Sequence, residues 1–306
     1  MTRVLPSAAL ARVVADVRSR PPVADLATHR ALAAAGTAAA VAAPLPAGIE
    51  AVPGPGRPGS EIVRPARPVG TVLYLHSGGY GAGTPQLCRG FTARLAAATG
   101  LAFFAPAYRL APEAPYPAAL DDAEVAYTLE LSRTGEPPAA VGGASAGGGL
   151  ALALLMRIRD RGLPLPRAAV LISPWVDLAR APAARDPAPR AGPDERGPDP
   201  MTDPGYLAEL ARNYAGGTDP RDPGVSPIFG RFHDLPATHI EAGTAELLLA
   251  DAVRTAGAFA AAGRAVTLSV VEEAPHTFPH SCPDTPEAAA AAARIALHLR
   301  THLDLA

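Results

Sequence analysis

The chain has 306 residues, 48% hydrophobic and 18% charged, which is enough apolar material for a large packed interior and excludes a disordered chain. Its 27 basic and 29 acidic residues leave a formal charge of -2 and lie scattered, so there is no electrostatic footprint for nucleic acid or for an anionic membrane; a small, neutral ligand is expected. Cys88 and Cys282 stand far apart without metal-ligand or redox spacing, so neither a disulfide framework nor a zinc site is suggested and both are read as small buried hydrophobes.

Two Ala-rich stretches, at about 6–17 and 22–35, carry apolar residues at helical spacing, and the Pro/Gly-rich run 44–59 then ends any helix. Arg12, Asp16 and Arg18 interrupt the apolar N-terminus before a signal-like core develops. No run approaches the ~20 apolar residues of a membrane span, so a soluble, cytoplasmic protein without stable membrane association is expected. From Ile62 onward β-like runs alternate with helical stretches: TVLYLH (71–76), LAFFAP (101–106), AAVGG (139–143), AAVLIS (168–173), THIEAG (238–243) and VTLSVV (266–271). Two more strands near 49–52 and 61–64 bring the count to about eight. Alternating βα units predict an α/β fold, a mostly parallel sheet with helices on both faces, in one catalytic domain over 1–306. Residues 177–203 break the rhythm, rich in Pro, Asp, Arg and Ala without periodicity, and a helix follows at about 206–214. The segment is read as an excursion that covers a site together with the N-terminal helices; for 180–200 the alternative is a disordered surface loop. An alanine run before Arg294 predicts a C-terminal helix.

Chemistry enters with VGGASAGGG. Ser145 stands between a β-like run and the helical stretch LALALLMRI, flanked by Gly143, Ala146, Gly147 and Gly148. A strand–turn–helix elbow needs near side-chain-free neighbours so that strand and helix can approach, and it presents the hydroxyl as a nucleophile. The same letters also describe a tight turn without chemistry; the strand and helix on either side favour the elbow. Upstream, His76-Ser77-Gly78-Gly79-Tyr80 follows a strand, and the amides of Gly78 and Gly79 with that of Ala146 could form a three-donor oxyanion hole. His76 is expected to brace this loop by a hydrogen bond rather than serve as a base.

HSGGY, YRLAPEAPYPAALDD at 108–122, GASAGGG at 143–149, SPWVDL at 173–178 and SPIFG at 226–230 together resemble the bacterial hormone-sensitive-lipase-like esterases, collinearly from about Thr71 to His276. The resemblance implies an α/β-hydrolase fold, an eight-stranded mostly parallel sheet with a helical cap drawn from about 1–45 and 179–216. It also implies a catalytic histidine in the loop after the last strand, where EEAPHTF puts His276, with His280 as a nearby competitor. The chain order of such folds is Ser, acid, His. Most of the family opens a D-P-L-type motif with the acid, whereas this chain reads GTAELLLADA, which aligns Glu246 there and leaves Asp251 as second choice. Glu246 is otherwise a carboxylate that merely complements a helix dipole. A second departure is Ser77, where the family's HGGG has its first glycine.

Arg109, Glu113 and Asp122 are read as charge pairs and caps under the site, Trp175 as a packing residue, and Tyr80 and Phe278 as substrate-binding residues lining the acyl or alcohol pocket. The expected activity is hydrolysis of short- to medium-chain carboxylic esters through an acyl-enzyme, without metal or organic cofactor. A small-molecule ester or acyl substrate is the expected partner, and the sheet's edge strand can carry a homodimer. The same residues would equally serve an acyltransferase, cyclase or lactone-processing enzyme. A non-catalytic binding protein on this scaffold is disfavoured because both Ser145 and His276 are present.

Overall fold

A computed structural model describes residues 6–21, 23–180, 199 and 203–305. Two helices, α1 (Ala8–Arg18) and α2 (Leu26–Ala42), precede β1 (Ile49–Pro53), β2 (Glu61–Pro65), β3 (Thr71–Leu75), α3 (Arg89–Thr99), β4 (Ala102–Ala105) and α4 (Ala118–Thr134). Then come β5 (Ala140–Ala144), α5 (Ala146–Asp160), β6 (Ala168–Ile172), α6 (Pro204–Ala215), β7 (Ala237–Ala245), α7 (Leu249–Ala261), β8 (Val266–Pro275), α8 (Phe278–Ser281) and α9 (Pro286–Leu303). α2 runs further than the predicted 22–35, because nothing breaks the alanine-rich stretch before Pro44. β1 forms inside the Pro/Gly-rich run, pairing with β2 in the register Ile49↔Pro65.

The eight strands make one sheet in the order β1-β2-β4-β3-β5-β6-β7-β8. β2 pairs antiparallel with β1 and β4, and from β4 to β8 every neighbour is parallel. Alternation along each strand feeds two apolar layers, since successive side chains point to opposite faces. Leu73, Leu75, Phe104 and Val141 join one layer with α4, α5 and α7; Val72, Tyr74, Phe103 and Ala140 join the other with α3 and α9. Leu150, Leu152, Leu154 and Leu155 of α5 are fully buried, and each such leucine is worth about 2 kcal/mol of transfer from water.

The helices beside the sheet's C-terminal edge are fixed by polar caps. Asp25 accepts from the Thr28 amide at 2.8 Å to start α2, and Asp203 accepts from the Tyr206 amide at 2.7 Å to start α6. Arg30 ties α2 down, donating to both oxygens of Glu113 at 2.7 and 2.6 Å and to the Gly81 carbonyl at 2.9 Å. The predicted excursion at 177–203, and its alternative of a disordered loop at 180–200, fall almost wholly outside the described residues. Among the described residues no helix is long and apolar enough to cross a membrane.

Candidate active site

Parallel strands end together, so the loops after β3, β5, β7 and β8 open on one edge of the sheet, the edge where α/β folds hold their ligands. Ser145 sits there between β5 and α5 with φ 56° and ψ -122°, a backbone state that a non-glycine residue occupies only when its surroundings impose it. They do so here: its amide donates to the Ile172 carbonyl at 2.9 Å, and its own carbonyl accepts from the amides of Gly148 at 2.9 Å and Trp175 at 3.0 Å. A Cβ on Gly147 would lie 2.1 Å from the Leu75 carbonyl oxygen, so the close approach of α5 to β3 admits no side chain.

Glu246 and His276 meet because of sheet register. A bulge between Gly243 and Ala245 realigns β7 so that Ala245 pairs with Pro275, which sets the two following residues side by side. The His276 Nδ1 lies 3.0 Å from Glu246 Oε2 and its Nε2 lies 2.9 Å from Ser145 Oγ. A carboxylate only accepts, so Nδ1 carries the hydrogen and Nε2 turns its lone pair to the serine hydroxyl. Glu246 is fully buried, and its other oxygen accepts from the Gly243 amide at 3.3 Å. The histidine loop is pinned as well: the Thr277 amide donates to Ser173 Oγ at 3.0 Å and Ser281 Oγ to the His276 carbonyl at 3.1 Å. Burial is the largest influence on His276 and opposes its charge, but the hydrogen bond and charge of Glu246, with the charge of Asp199, outweigh it and raise the pKa above its ordinary 6.5. Asp199, which also accepts from the Leu247 amide at 3.0 Å, was not singled out from the sequence. It belongs to an aperiodic stretch that carries no local signal.

The loop after β3 brings Gly78 and Gly79 to the wall of the same cavity as Ser145. Gly78 has φ 126°, and a Cβ there would lie 2.0 Å from the Ala82 carbonyl oxygen, so the turn requires glycine. Among the described residues, the amides of Gly78, Gly79 and Ala146 donate to no protein carbonyl. His76 braces the loop: it stacks on Tyr108 at 4.0 Å and its Nδ1 lies 2.8 Å from the Ser77 carbonyl. Burial holds it neutral, with a pKa lowered to about 4. His280 lies apart from Ser145, stacked on Phe91 with its Nε2 2.9 Å from the Tyr74 hydroxyl, and burial followed by the charges of Arg94 and His276 lowers it to about 3.

Asp251, the second choice for the acid, points elsewhere. It is fully buried on α7 and accepts from the amides of Val176 at 3.2 Å and Asp177 at 3.1 Å, fastening the loop after β6. Asp251→Asn is therefore expected to cost about 1–3 kcal/mol of stability, because the amide keeps one oxygen for Val176 and Asp177 but puts an uncharged NH2 group where the second carboxylate oxygen faces Arg180 at 3.6 Å. A lowered thermal midpoint with turnover within a few-fold of wild type is the result that calorimetry and an ester assay should show.

The cavity above Ser145 has a volume of about 290 Å³, and its apolar lining includes Leu32 of α2 and Leu207 and Leu210 of α6, with Val23, Leu87 and Leu248. Tyr80 and Phe278 do not line it, which corrects the expectation drawn from their place beside the two loops. Tyr80 is turned into the core and stacks on Tyr214 at 3.7 Å; Phe278 is fully buried against Leu10, Ala274 and Ala288. Trp175 packs at 6.0 Å from Tyr80 and is fully buried. Asp122 takes the Arg109 guanidinium through both oxygens at 3.0 Å, whereas Glu113 pairs with Arg30 of α2. Cys88 and Cys282 are buried and free. Among the described residues, no group of three or more His, Cys, Asp or Glu side chains is arranged to hold a metal ion.

Residues 72–280 match the family model of the alpha/beta hydrolase fold. An acetyl-hydrolase of Streptomyces hygroscopicus is 41% identical over 245 residues, covering 79% of each chain. A crystal structure of an esterase from the bacterial hormone-sensitive lipase family superposes with a TM-score of 0.82 at 31% identity, covering 98% of this chain and 100% of that one. That of EstE5, soaked with p-nitrophenyl butyrate, gives 0.84 at 30% identity over 97% and 99%. On a matched span of this length, and on relatives this similar across nearly the whole fold, the chain is a hydrolase of the α/β-hydrolase fold and belongs to the bacterial hormone-sensitive lipase family.

Proposed function

We propose that this protein is a serine carboxylesterase that cleaves short- to medium-chain esters through an acyl-enzyme. The observation that carries the proposal is the unbroken hydrogen-bonded chain Glu246–His276–Ser145 on the floor of an apolar cavity. Ser145 Oγ attacks the ester carbonyl carbon while His276 Nε2 takes its proton; the imidazolium that forms is stabilised by Glu246. The tetrahedral oxyanion is held by the amides of Gly78, Gly79 and Ala146, each such donor being worth about 10²–10³ in rate. Collapse expels the alcohol, which receives its proton from His276. Water, deprotonated by the same imidazole, then releases the acid and restores Ser145.

Several features support esters of modest size. The relatives carry the names acetyl-hydrolase and esterase, and one was soaked with a butyrate ester. A volume of about 290 Å³ suits a short acyl chain better than a long one. In this reading α2 and α6, with the chain around them, form a cap that excludes water from the acyl-enzyme. The test is a chain-length series of p-nitrophenyl esters: turnover should be highest for acetate to hexanoate and fall for longer chains. A protein that hydrolyses none of them, or prefers long chains, would contradict the proposal.

A further inference from the structure

The cavity over Ser145 contains a polar pair that the ester chemistry leaves unused. His29 of α2 and Tyr206 of α6 both line it, with His29 Nδ1 2.9 Å from the phenol oxygen and the rings edge to face at 5.7 Å. Among the described residues that line the cavity none is Arg, Lys, Asp or Glu. The nearest guanidinium in sequence, Arg30, is turned to Glu113 and to the carbonyls of Gly81 and Ala111. Burial, then the charge of Arg30, lowers the His29 pKa, and burial pushes Tyr206 up to about 12, so both side chains are uncharged at neutral pH.

Counting hydrogens decides what the pair offers. A neutral imidazole carries one N–H and a phenol one O–H, and one of these is spent on the bond between them. If Tyr206 donates to Nδ1, the Nε2–H remains; if Nδ1–H donates to the phenol oxygen, the O–H remains. Either tautomer leaves one donor unspent in an uncharged, mainly apolar wall. An alkyl chain laid over that donor strips its water and returns nothing, whereas an oxygen acceptor restores the lost bond.

We propose that the His29–Tyr206 pair is a specificity element selecting esters that carry a neutral hydrogen-bond-accepting oxygen, such as an ether or carbonyl, away from the reacting carbonyl; this rests on the esterase reading of the Ser145 site. A carboxylate on that arm is disfavoured, because among the described lining residues there is no Arg or Lys to offset its desolvation.

The test compares matched esters that differ by one methylene-to-oxygen exchange. On the acyl side these are p-nitrophenyl hexanoate and its oxa-analogues; on the alcohol side, alkyl and alkoxyalkyl acetates. kcat/KM is measured for the wild type, for each of Tyr206→Phe and His29→Leu, and for the double variant. Taking the oxygen-to-methylene ratio within each protein, and then comparing proteins, cancels the intrinsic reactivity of the ether-bearing ester. For at least one oxygen position the ratio should fall about 5- to 20-fold in the double variant, which retains no donor. Each single variant, which retains a displaced donor, should fall by about 3-fold, and these carry the test if the double variant does not fold. Ratios equal in wild type and variants at every oxygen position would overturn the assignment while leaving the esterase intact. Failure of the wild type to hydrolyse any ester would overturn the esterase reading and this inference with it.

Discussion

Ser145→Ala is expected to lower kcat/KM for p-nitrophenyl butyrate by about 10⁴-fold or more, because under the proposed mechanism it removes the atom to be acylated while leaving the rest of the cavity in place. The residual rate would be that of water attacking an ester held among the three amides. The fold should hardly notice. The backbone at 145 is fixed by main-chain bonds to Ile172, Gly148 and Trp175, none of which uses the hydroxyl, and among the described residues Oγ is hydrogen-bonded to His276 alone. A thermal midpoint near that of wild type, alongside the collapse in rate, separates loss of the nucleophile from loss of structure. Turnover within about tenfold of wild type would mean that another residue does the chemistry.

Glu246→Gln should produce the second largest effect, about 10³–10⁴-fold in kcat, since an amide no longer dictates the tautomer and cannot stabilise the imidazolium. Its pH signature is more telling. His276 accepts a proton only when neutral, and its pKa lies above 6.5 because Glu246 and Asp199 overcome the opposing effect of burial. The acid limb of kcat/KM in the wild type should therefore fall above pH 6.5, with activity lost as pH drops through it. Removing the Glu246 charge removes the main influence that raises the pKa, so the limb should move to lower pH in the variant while the plateau falls. A plateau that falls with no shift of the limb would indicate that Glu246 merely holds the loop. Asp251→Asn should do neither, because that carboxylate faces the amides of Val176 and Asp177.

Much of this arrangement was legible in the residues themselves. The alternation of Val72, Leu73, Tyr74 and Leu75 between two layers, and the small residues around Ser145, are direct expressions of strand period and of how closely α5 passes β3. The choice between Glu246 and Asp251 was harder to read. It depends on a bulge in β7 that realigns one strand against its neighbour, a long-range feature with no local mark. Tyr80 and Phe278 show the limit of reasoning from adjacency. Both follow site loops, yet Tyr80 has φ 61° after a glycine with φ 59°, and the turn swings its ring away from the cavity and onto Tyr214. His29 and Tyr206 lie 177 positions apart and meet only because α2 and α6 come together over the site.

A fluorophosphonate probe tests the central claim most directly, since it reacts with a serine hydroxyl only where a base and an oxyanion site activate it. After labelling, digestion and mass analysis, one adduct is expected, on the peptide containing Ser145, and it should be lost in His276→Ala. An unlabelled protein, or an adduct carried by a different residue, would contradict the account.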